Sequence, residues 1–189
     1  MPNIVLVRHG QTKWSLEGKH TGRTDIPLTE EGKRQAKAMA PFLQTLNIKK
    51  AFVSPLERAQ TTFALSTEGM QSTLSEDLLE WNYGKYEGIT LEQIHETQPG
   101  WSLFTDGAPG GESLEEIEKR AKRALLPALS SSETVALFSS GHILRSIVCS
   151  FLGLPITKGA HFVLSTASVS ILGYEHEKPA LYLWNQTFP

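Results

Sequence analysis

The stretch Ile4-Val5-Leu6-Val7-Arg8-His9-Gly10 decides how the rest of the chain is read. Its four leading apolar residues are mostly β-branched and form a run too short for a helix, so they read as a buried strand. The run has no polar alternation. Both of its faces are therefore expected to be covered, as in parallel α/β sheets. A guanidinium, an imidazole and a glycine follow at once. Two comparable runs lie further along, Ala51 to Val53 and Thr134 to Phe138, and each also ends in polar residues. The second leads through Ser54-Pro55 to Arg58, and the third ends in Ser139-Ser140-Gly141-His142. Open α/β sheets bind ligands beyond the carboxyl ends of their strands. The three clusters are thus expected to converge on one pocket holding two arginines and two histidines. Arginine forks match phosphoryl oxygens and helix N-termini add N–H donors, so the pocket reads as an oxyanion site, for phosphate above all.

Helical patterns separate the strands. Thr29 is a predicted N-cap, with Glu30 and Glu31 in the favourable first turn, and Ala36, Met39, Ala40, Leu43 and Leu46 recur behind it at helical spacing. Pro41 is expected to kink or end that helix. Ser54-Pro55 reads as an N-cap with proline at the first helical position, opening a helix to about Leu65. Ser113 and Glu116 fit a capping box, with Leu114, Ile117, Ala121, Ala124 and Leu125 on one face. Glu115/Lys119, Glu116/Arg120 and Glu118/Lys122 are predicted i,i+4 pairs on the solvent side. A further helix is expected over Ile143 to Leu152. The segments Ser168 to Tyr174 and Ala180 to Trp184 read as a hairpin, giving a mixed sheet with an antiparallel edge. Asp106 to Gly111 is the richest loop signal.

Composition narrows the function classes. The chain has 189 residues, 40% hydrophobic and 20% charged, which suits an ordinary globular protein, and nothing splits residues 1–189 into two domains. Its 18 basic and 20 acidic residues leave a net charge of −2, so no broad electrostatic footprint for nucleic acid is expected. An anionic ligand must instead meet a local cluster of cations. One cysteine, Cys149, excludes an internal disulfide framework and a Cys-based zinc site, and its apolar neighbours make it a core residue. No apolar run approaches the roughly 18 residues of a membrane span. The start, Met1 to Gly10, lacks a basic leader pattern and reads as strand, which makes the cytoplasm the expected compartment. His20, His95, His161 and His176 show no metal-ligand spacing and are expected to be structural or exposed.

The run Leu6-Val7-Arg8-His9-Gly10-Gln11-Thr12 resembles the R-H-G signature of the histidine phosphatase superfamily, which includes the cofactor-dependent phosphoglycerate mutases. It is joined, in the family's order, by Thr21-Gly22, Leu28 to Gly32, Ser54 to Thr61, Glu80 to Gly88 and Gly110 to Ser113. The resemblance covers nearly the whole chain. Glu80 to Gly88, Asp106 to Ser113 and the hairpin look most like the small sugar-phosphate phosphatases, including proteins similar to sedoheptulose-1,7-bisphosphatase. The resemblance implies a phosphoglycerate mutase-like three-layer α/β/α sandwich, with a mostly parallel central sheet. It implies that His9 is the nucleophile and forms a phosphohistidine that water hydrolyses. Arg8 and Arg58 would clamp the phosphoryl oxygens. Glu80 would be the general acid/base, and acting as an acid near neutral pH calls for partial burial near Trp81 or Tyr83. Gln11 and Thr21 would be secondary phosphate contacts, with no metal or cofactor required.

One position departs from that pattern. Aligning Gly141, Leu144 and Arg145 puts the family's second catalytic histidine at position 140, which is Ser140 here. Three readings stand. Ser140 leaves an inactive phosphate-binding shell; or it donates a weaker hydrogen bond and sustains slow turnover; or His142 swings into the gap. An impaired phosphatase is favoured, with a weak or inactive phosphate-ligand-binding relative as the alternative and a phosphoglycerate mutase behind both. The mutases carry an insert with paired arginines after the glutamate motif, whereas this chain has no Lys or Arg between Lys85 and Lys119. The expected partner is a small phosphorylated metabolite. For a second substrate phosphate the remaining cations are Lys13, Lys19, Arg23, Lys85 and Arg145, with Lys13 and Arg23 favoured. Oligomeric state is not legible.

Overall fold

The computed structural model of the chain describes residues 3–189; Met1 and Pro2, the first residues of the stretch read as strand and not leader, lie outside them. In chain order it forms β1 (Ile4–Arg8), the single turn α1 (Lys13–Leu16), α2 (Glu30–Thr45), β2 (Lys50–Val53), α3 (Glu57–Ser66) and the two-residue strand β3 (Thr73–Leu74). After these come α4 (Leu91–Thr97), α5 (Leu103–Asp106), α6 (Leu114–Leu129), β4 (Val135–Ser139), α7 (Gly141–Leu152), β5 (Val169–Glu175) and β6 (Lys178–Gln186). The sheet order is β3-β2-β4-β1-β5-β6. β3, β2, β4 and β1 run parallel, while β5 pairs antiparallel with β1 and β6 antiparallel with β5. The sheet is mixed, with the antiparallel hairpin at one edge.

The unbroken apolar runs are buried on both faces for the reason their pattern suggests. Alternate side chains of a strand point to opposite faces. Ile4 and Leu6 of β1, with Val135 and Leu137 of β4, pack with Ile117, Ala121 and Ala124 of α6 and Ile143 and Ile147 of α7. Val5 and Val7, with Ala136 and Phe138, pack on the other side with Ala36, Met39 and Leu43 of α2 and Ala59 and Phe63 of α3. These are the two outer helical layers of an α/β/α sandwich.

Three local expectations need correction. Pro41 does not end α2, which continues to Thr45. Pro41 and Lys37, whose carbonyl loses its partner, both lie on the exposed face, where water replaces the lost bond. Ser54-Pro55 does not cap α3: the N-cap is Leu56, and Ser54 Oγ accepts from Leu56 N–H at 3.5 Å in a turn before the helix. Along α6, Glu115/Lys119 and Glu118/Lys122 pair as expected at 2.6 Å each, but Glu116 turns back to cap Ser113 and Arg120 turns into the protein. The capping box at Ser113 and the N-cap at Thr29 form as predicted.

Candidate active site

β1 and β4 lie side by side in parallel, with Arg8 opposite Ser139, and His9 N–H donates to Ser139 O at 3.0 Å. The next residues, His9 and Ser140, therefore leave the sheet as neighbours. Gly10 is required behind them, because a Cβ there would stand 2.4 Å from Gly32 O at the start of α2.

The His9 ring is buried, and its Nδ1 lies 2.8 Å from Gly10 O. A carbonyl only accepts, so Nδ1 carries the proton and Nε2 keeps its lone pair. Burial holds the His9 pKa well below the usual imidazole range, and the Arg58 and Arg8 guanidiniums add to this. The ring is neutral at neutral pH, with one free basic nitrogen.

The two arginines are held differently. Arg8 donates through Nη1 to Leu164 O, while its Nε is buried with no acceptor in the protein. Arg58 is fully buried and four of its five N–H groups have protein acceptors: Nη1 donates to Thr24 O (2.9 Å), Nη2 to Thr21 O (3.1 Å) and Gly22 O (2.8 Å), and Nε to Ser140 Oγ (3.4 Å). The loop supplying those carbonyls is held by Glu87, whose Oε1 accepts from Gly22 N–H at 2.9 Å and Thr24 N–H at 3.1 Å. Burial lowers the pKa of both guanidiniums, and the charge of Glu80 pushes the other way.

Glu80 is buried in the loop before α4 and reaches across to the start of α7. Its Oε1 accepts from Trp81 N–H (2.8 Å) and Ile143 N–H (2.8 Å), and its Oε2 from His142 N–H (2.9 Å). The carboxylate thus caps α7 from another segment, where the helix dipole favours negative charge. Its backbone is anchored by Arg120, which donates to Asp77 O (3.0 Å), Leu79 O and Glu80 O (3.2 Å) and makes a fork pair with Glu112, 2.7 Å on each arm. Glu112 Oε2 also accepts from Asn82 N–H at 2.9 Å. This bracket was invisible to spacing arguments, because its partners come from three separate segments.

His142 is not turned toward Ser140's place. Its Nδ1 lies 2.6 Å from the Tyr83 hydroxyl, and its ring stacks 6.2 Å from His20 and leans on Phe104. Burial raises the Tyr83 pKa well above its ordinary value and drives the His142 pKa well down, the latter with help from Arg145. Both groups are therefore neutral, and one hydrogen bond joins the hydroxyl to Nδ1.

These groups surround a cavity of about 200 Å³. Arg8, His9, Glu80, Tyr83, Gly141 and His142 form one part of its lining, and Ser15, Lys19, His20, Thr21 and Arg145 another. Several expectations shift here. Thr21 lines the cavity, with its hydroxyl directed to Lys19 O at 3.2 Å. Gln11 does not: its Oε1 accepts from Thr29 Oγ1 at 2.9 Å. Arg58 and Ser140 stand behind the lining, in contact with one another. Lys13 points outward, and Arg23 lies 3.5 Å from Glu112, so the favoured cations for a second anion are not in the cavity, whereas Lys19 and Arg145 are. His20 was expected to be structural or exposed. It lines the cavity, its Nδ1 3.0 Å from Ile89 O, and its place directly before Thr21-Gly22 was the available signal. Among the described residues no three His, Cys, Asp or Glu are grouped to hold a metal ion, and no helix is long and apolar enough to cross a membrane.

Comparison with known proteins gives a consistent picture. The family model described as histidine phosphatase superfamily (branch 1) matches residues 4–187. An acid phosphatase of Mycobacterium tuberculosis is 38% identical over 92% of this chain and 87% of its own length. Sedoheptulose 1,7-bisphosphatase of Saccharomyces cerevisiae is 32% identical over 83% of this chain and 70% of its own length. The solved structure of the open reading frame Rv3214 from Mycobacterium tuberculosis superposes with a TM-score of 0.94 at 36% identity, covering 98% of both chains.

Proposed function

Because the chain belongs to the histidine phosphatase superfamily and is by that kinship a phosphatase, we propose that it hydrolyses phosphate monoesters of small metabolites through a phosphohistidine on His9. The observation that carries this is the ring of His9: neutral, its Nδ1 tied to Gly10 O, its Nε2 free at a cavity that Arg8 also lines. Nε2 forms a bond to phosphorus as the ester P–O bond breaks, and that electron pair leaves on the alcohol oxygen. Glu80 gives this oxygen a proton. Its Oε2 accepts one backbone N–H where Oε1 accepts two, so Oε2 is the atom with room for the proton. Water then attacks phosphorus, Glu80 takes the water's proton, and the N–P bond breaks back to the free ring. The unpartnered Nε of Arg8 supports a role in holding phosphoryl oxygens, and the nearby Arg58 adds charge there.

Ser140 weakens this machinery. A neutral hydroxyl stands where the family carries an imidazole, and loss of one preorganised donor costs roughly 10²–10³ in rate. Sugar phosphates remain the favoured substrates, and the same reading takes residues 1–189 as one domain working in the cytoplasm. A second reading, a phosphate binder with little turnover, is favoured by Ser140 together with the commitment of three Arg58 N–H groups to protein carbonyls. Phosphate release from p-nitrophenyl phosphate and a panel of sugar phosphates separates the two, with His9→Ala as control and an acid-labile adduct sought on His9. Release above the control supports the enzyme; binding with release equal to the control supports the binder.

A further inference from the structure

Gly10 meets two opposing demands. Only glycine fits there, since a Cβ would stand 2.4 Å from Gly32 O. Glycine also restrains its own backbone least of all residues, so nothing within Gly10 fixes where its carbonyl points. That carbonyl is the acceptor for His9 Nδ1. Its hold comes from other segments. The peptide before Gly10 is pinned by the buried Thr62, whose Oγ1 accepts from Gly10 N–H at 3.0 Å and donates to Arg58 O at 2.7 Å. The peptide after it carries Gly10 O at one end and Gln11 N–H at the other. That N–H donates to Gln35 Oε1 at 3.0 Å.

Gln35 stands in the second turn of α2, and its amide is itself oriented. A carboxylate only accepts, so the 3.3 Å contact with Glu31 Oε1 comes from Gln35 Nε2, which turns Oε1 toward Gln11. Arg34 grips the same carboxylate through Nε (2.8 Å) and Nη2 (2.7 Å). Thr166 Oγ1 also donates to Gln35 Oε1, at 3.5 Å. One directed chain results: His9 Nδ1–H to Gly10 O, across the peptide to Gln11 N–H, on to Gln35 Oε1, and from Gln35 Nε2 to Glu31. Bonds in such a chain polarise one another, so an acceptor on Gln11 N–H makes Gly10 O the stronger acceptor. We infer that Gln35 is a positioning residue for His9: by orienting the Gly10–Gln11 peptide it keeps the imidazole proton on Nδ1 and leaves the Nε2 lone pair free for phosphorus. This rests on the reading of His9 as nucleophile and adds to it the group, one peptide away, that sets the tautomer.

Nitrogen NMR of the histidine-labelled protein reads the tautomer directly, with or without turnover, and the His9→Ala spectrum assigns the ring. The native protein should show His9 with Nδ1 protonated and Nε2 bare at neutral pH. Gln35→Met removes the acceptor at similar volume. It should move a measurable fraction of the ring to the Nε2–H form and lower kcat about tenfold or more, with KM within about twofold. Losing the direct partner that fixes a catalytic imidazole's tautomer costs up to about 10⁴ in kcat, and Gln35 acts one peptide further out. Gln35→Ala carries the same expectation should Gln35→Met fail to fold. The exchange variant Glu31→Gln/Gln35→Glu keeps an oxygen on Gln11 N–H and a donor facing it at unchanged net charge, and should recover most of the loss. A tautomer unmoved by loss of the Gln35 amide, or an exchange variant as impaired as Gln35→Met, would overturn the inference while leaving the His9 site intact. Absence of His9-dependent phosphate release from the native protein would instead overturn the phosphatase reading, and the tautomer measurement would still decide the role of Gln35.

Discussion

β1 and β4 are adjacent, parallel and in register, yet their carboxyl ends are chemically unequal. The first residue past β1 is an imidazole whose tautomer is set by its own chain neighbour, Gly10 O. The first residue past β4 is Ser140, whose hydroxyl lies 3.4 Å from Arg58 Nε behind the cavity lining. The backbone treats the two corners alike: β4 is buried throughout and β1 up to the half-buried Arg8, and each hands the chain directly to the site. Geometry alone therefore does not make the second corner catalytic. What the pair teaches is that the sheet supplies positions, and the side chain at each position decides how much of the phosphoryl charge is met.

Removing the β1 imbalance is expected to have the largest effect. His9→Ala deletes the only free ring nitrogen at the corner and should drop phosphate release to background, on the order of 10⁴-fold or more where native turnover permits that range. Retention of most of the release would abolish the contrast between the corners. Restoring the β4 corner runs the other way. Ser140→His should raise kcat by at least about tenfold, and by roughly 10²–10³ if the ring recovers a full preorganised donor. Steady-state kinetics on one substrate decides it, and an unchanged kcat would mean that position 140 is not the family's second histidine position.

The same contrast explains what could be read from sequence. The strands, the Thr29 and Ser113 caps and the hairpin depend on residues close in the chain, and those signals are local. Arg120 was misread because Glu116 sits four residues away on the helix, whereas its real partner Glu112 and the carbonyls of Asp77, Leu79 and Glu80 arrive through folding. Gln11 was misread because its neighbour in space, Thr29, comes from the next helix. His20 and Arg145 stood beside motif residues, but neither was singled out for the cavity. They acquire a place in the cavity only when the loop before α2, the segment around α5 and α7 are brought together. Pro41 shows the reverse error: a strong local rule yielded because the affected carbonyl faces water.

A third prediction sharpens the comparison by loosening the β4 corner from a distance. Glu80 caps α7 directly after Ser140, and Arg120 holds the Glu80 backbone. Arg120→Met strands Glu112 in a mostly buried position and releases three carbonyls. Losing one partner of a buried ion pair costs about 3–5 kcal/mol, which urea unfolding would read. Where the variant still folds, kcat should fall more than KM rises, because the misplaced group is the one proposed to carry the proton. Arg120→Lys should not rescue it, since a point charge cannot span Glu112 and the carbonyls at once. Stability within about 1 kcal/mol of native would mean the bracket contributes little.

The smallest effect compares the imidazoles at the two corners by their protons. Burial depresses the pKa of His9 and of His142 well below the usual value, and of His20 less strongly. In the unfolded chain each titrates near 6.5. Between that pH and the lower folded value the unfolded state binds more protons, so unfolding free energy rises with pH there. Their stabilising contribution is complete above about pH 6.5 and is lost as pH falls below it, by up to about 1.4 kcal/mol per pH unit for each ring. Urea midpoints between pH 7.5 and 5 should therefore fall. His9→Asn and His142→Asn should each remove one ring's share of the slope, the two corners behaving alike here although they differ in catalysis. A slope untouched by His142→Asn would mean that the ring titrates alike in the folded and unfolded chain. Burial beside Tyr83 and Arg145 would then not hold it neutral, and the β4 corner would gain a cation as pH falls through about 6.5.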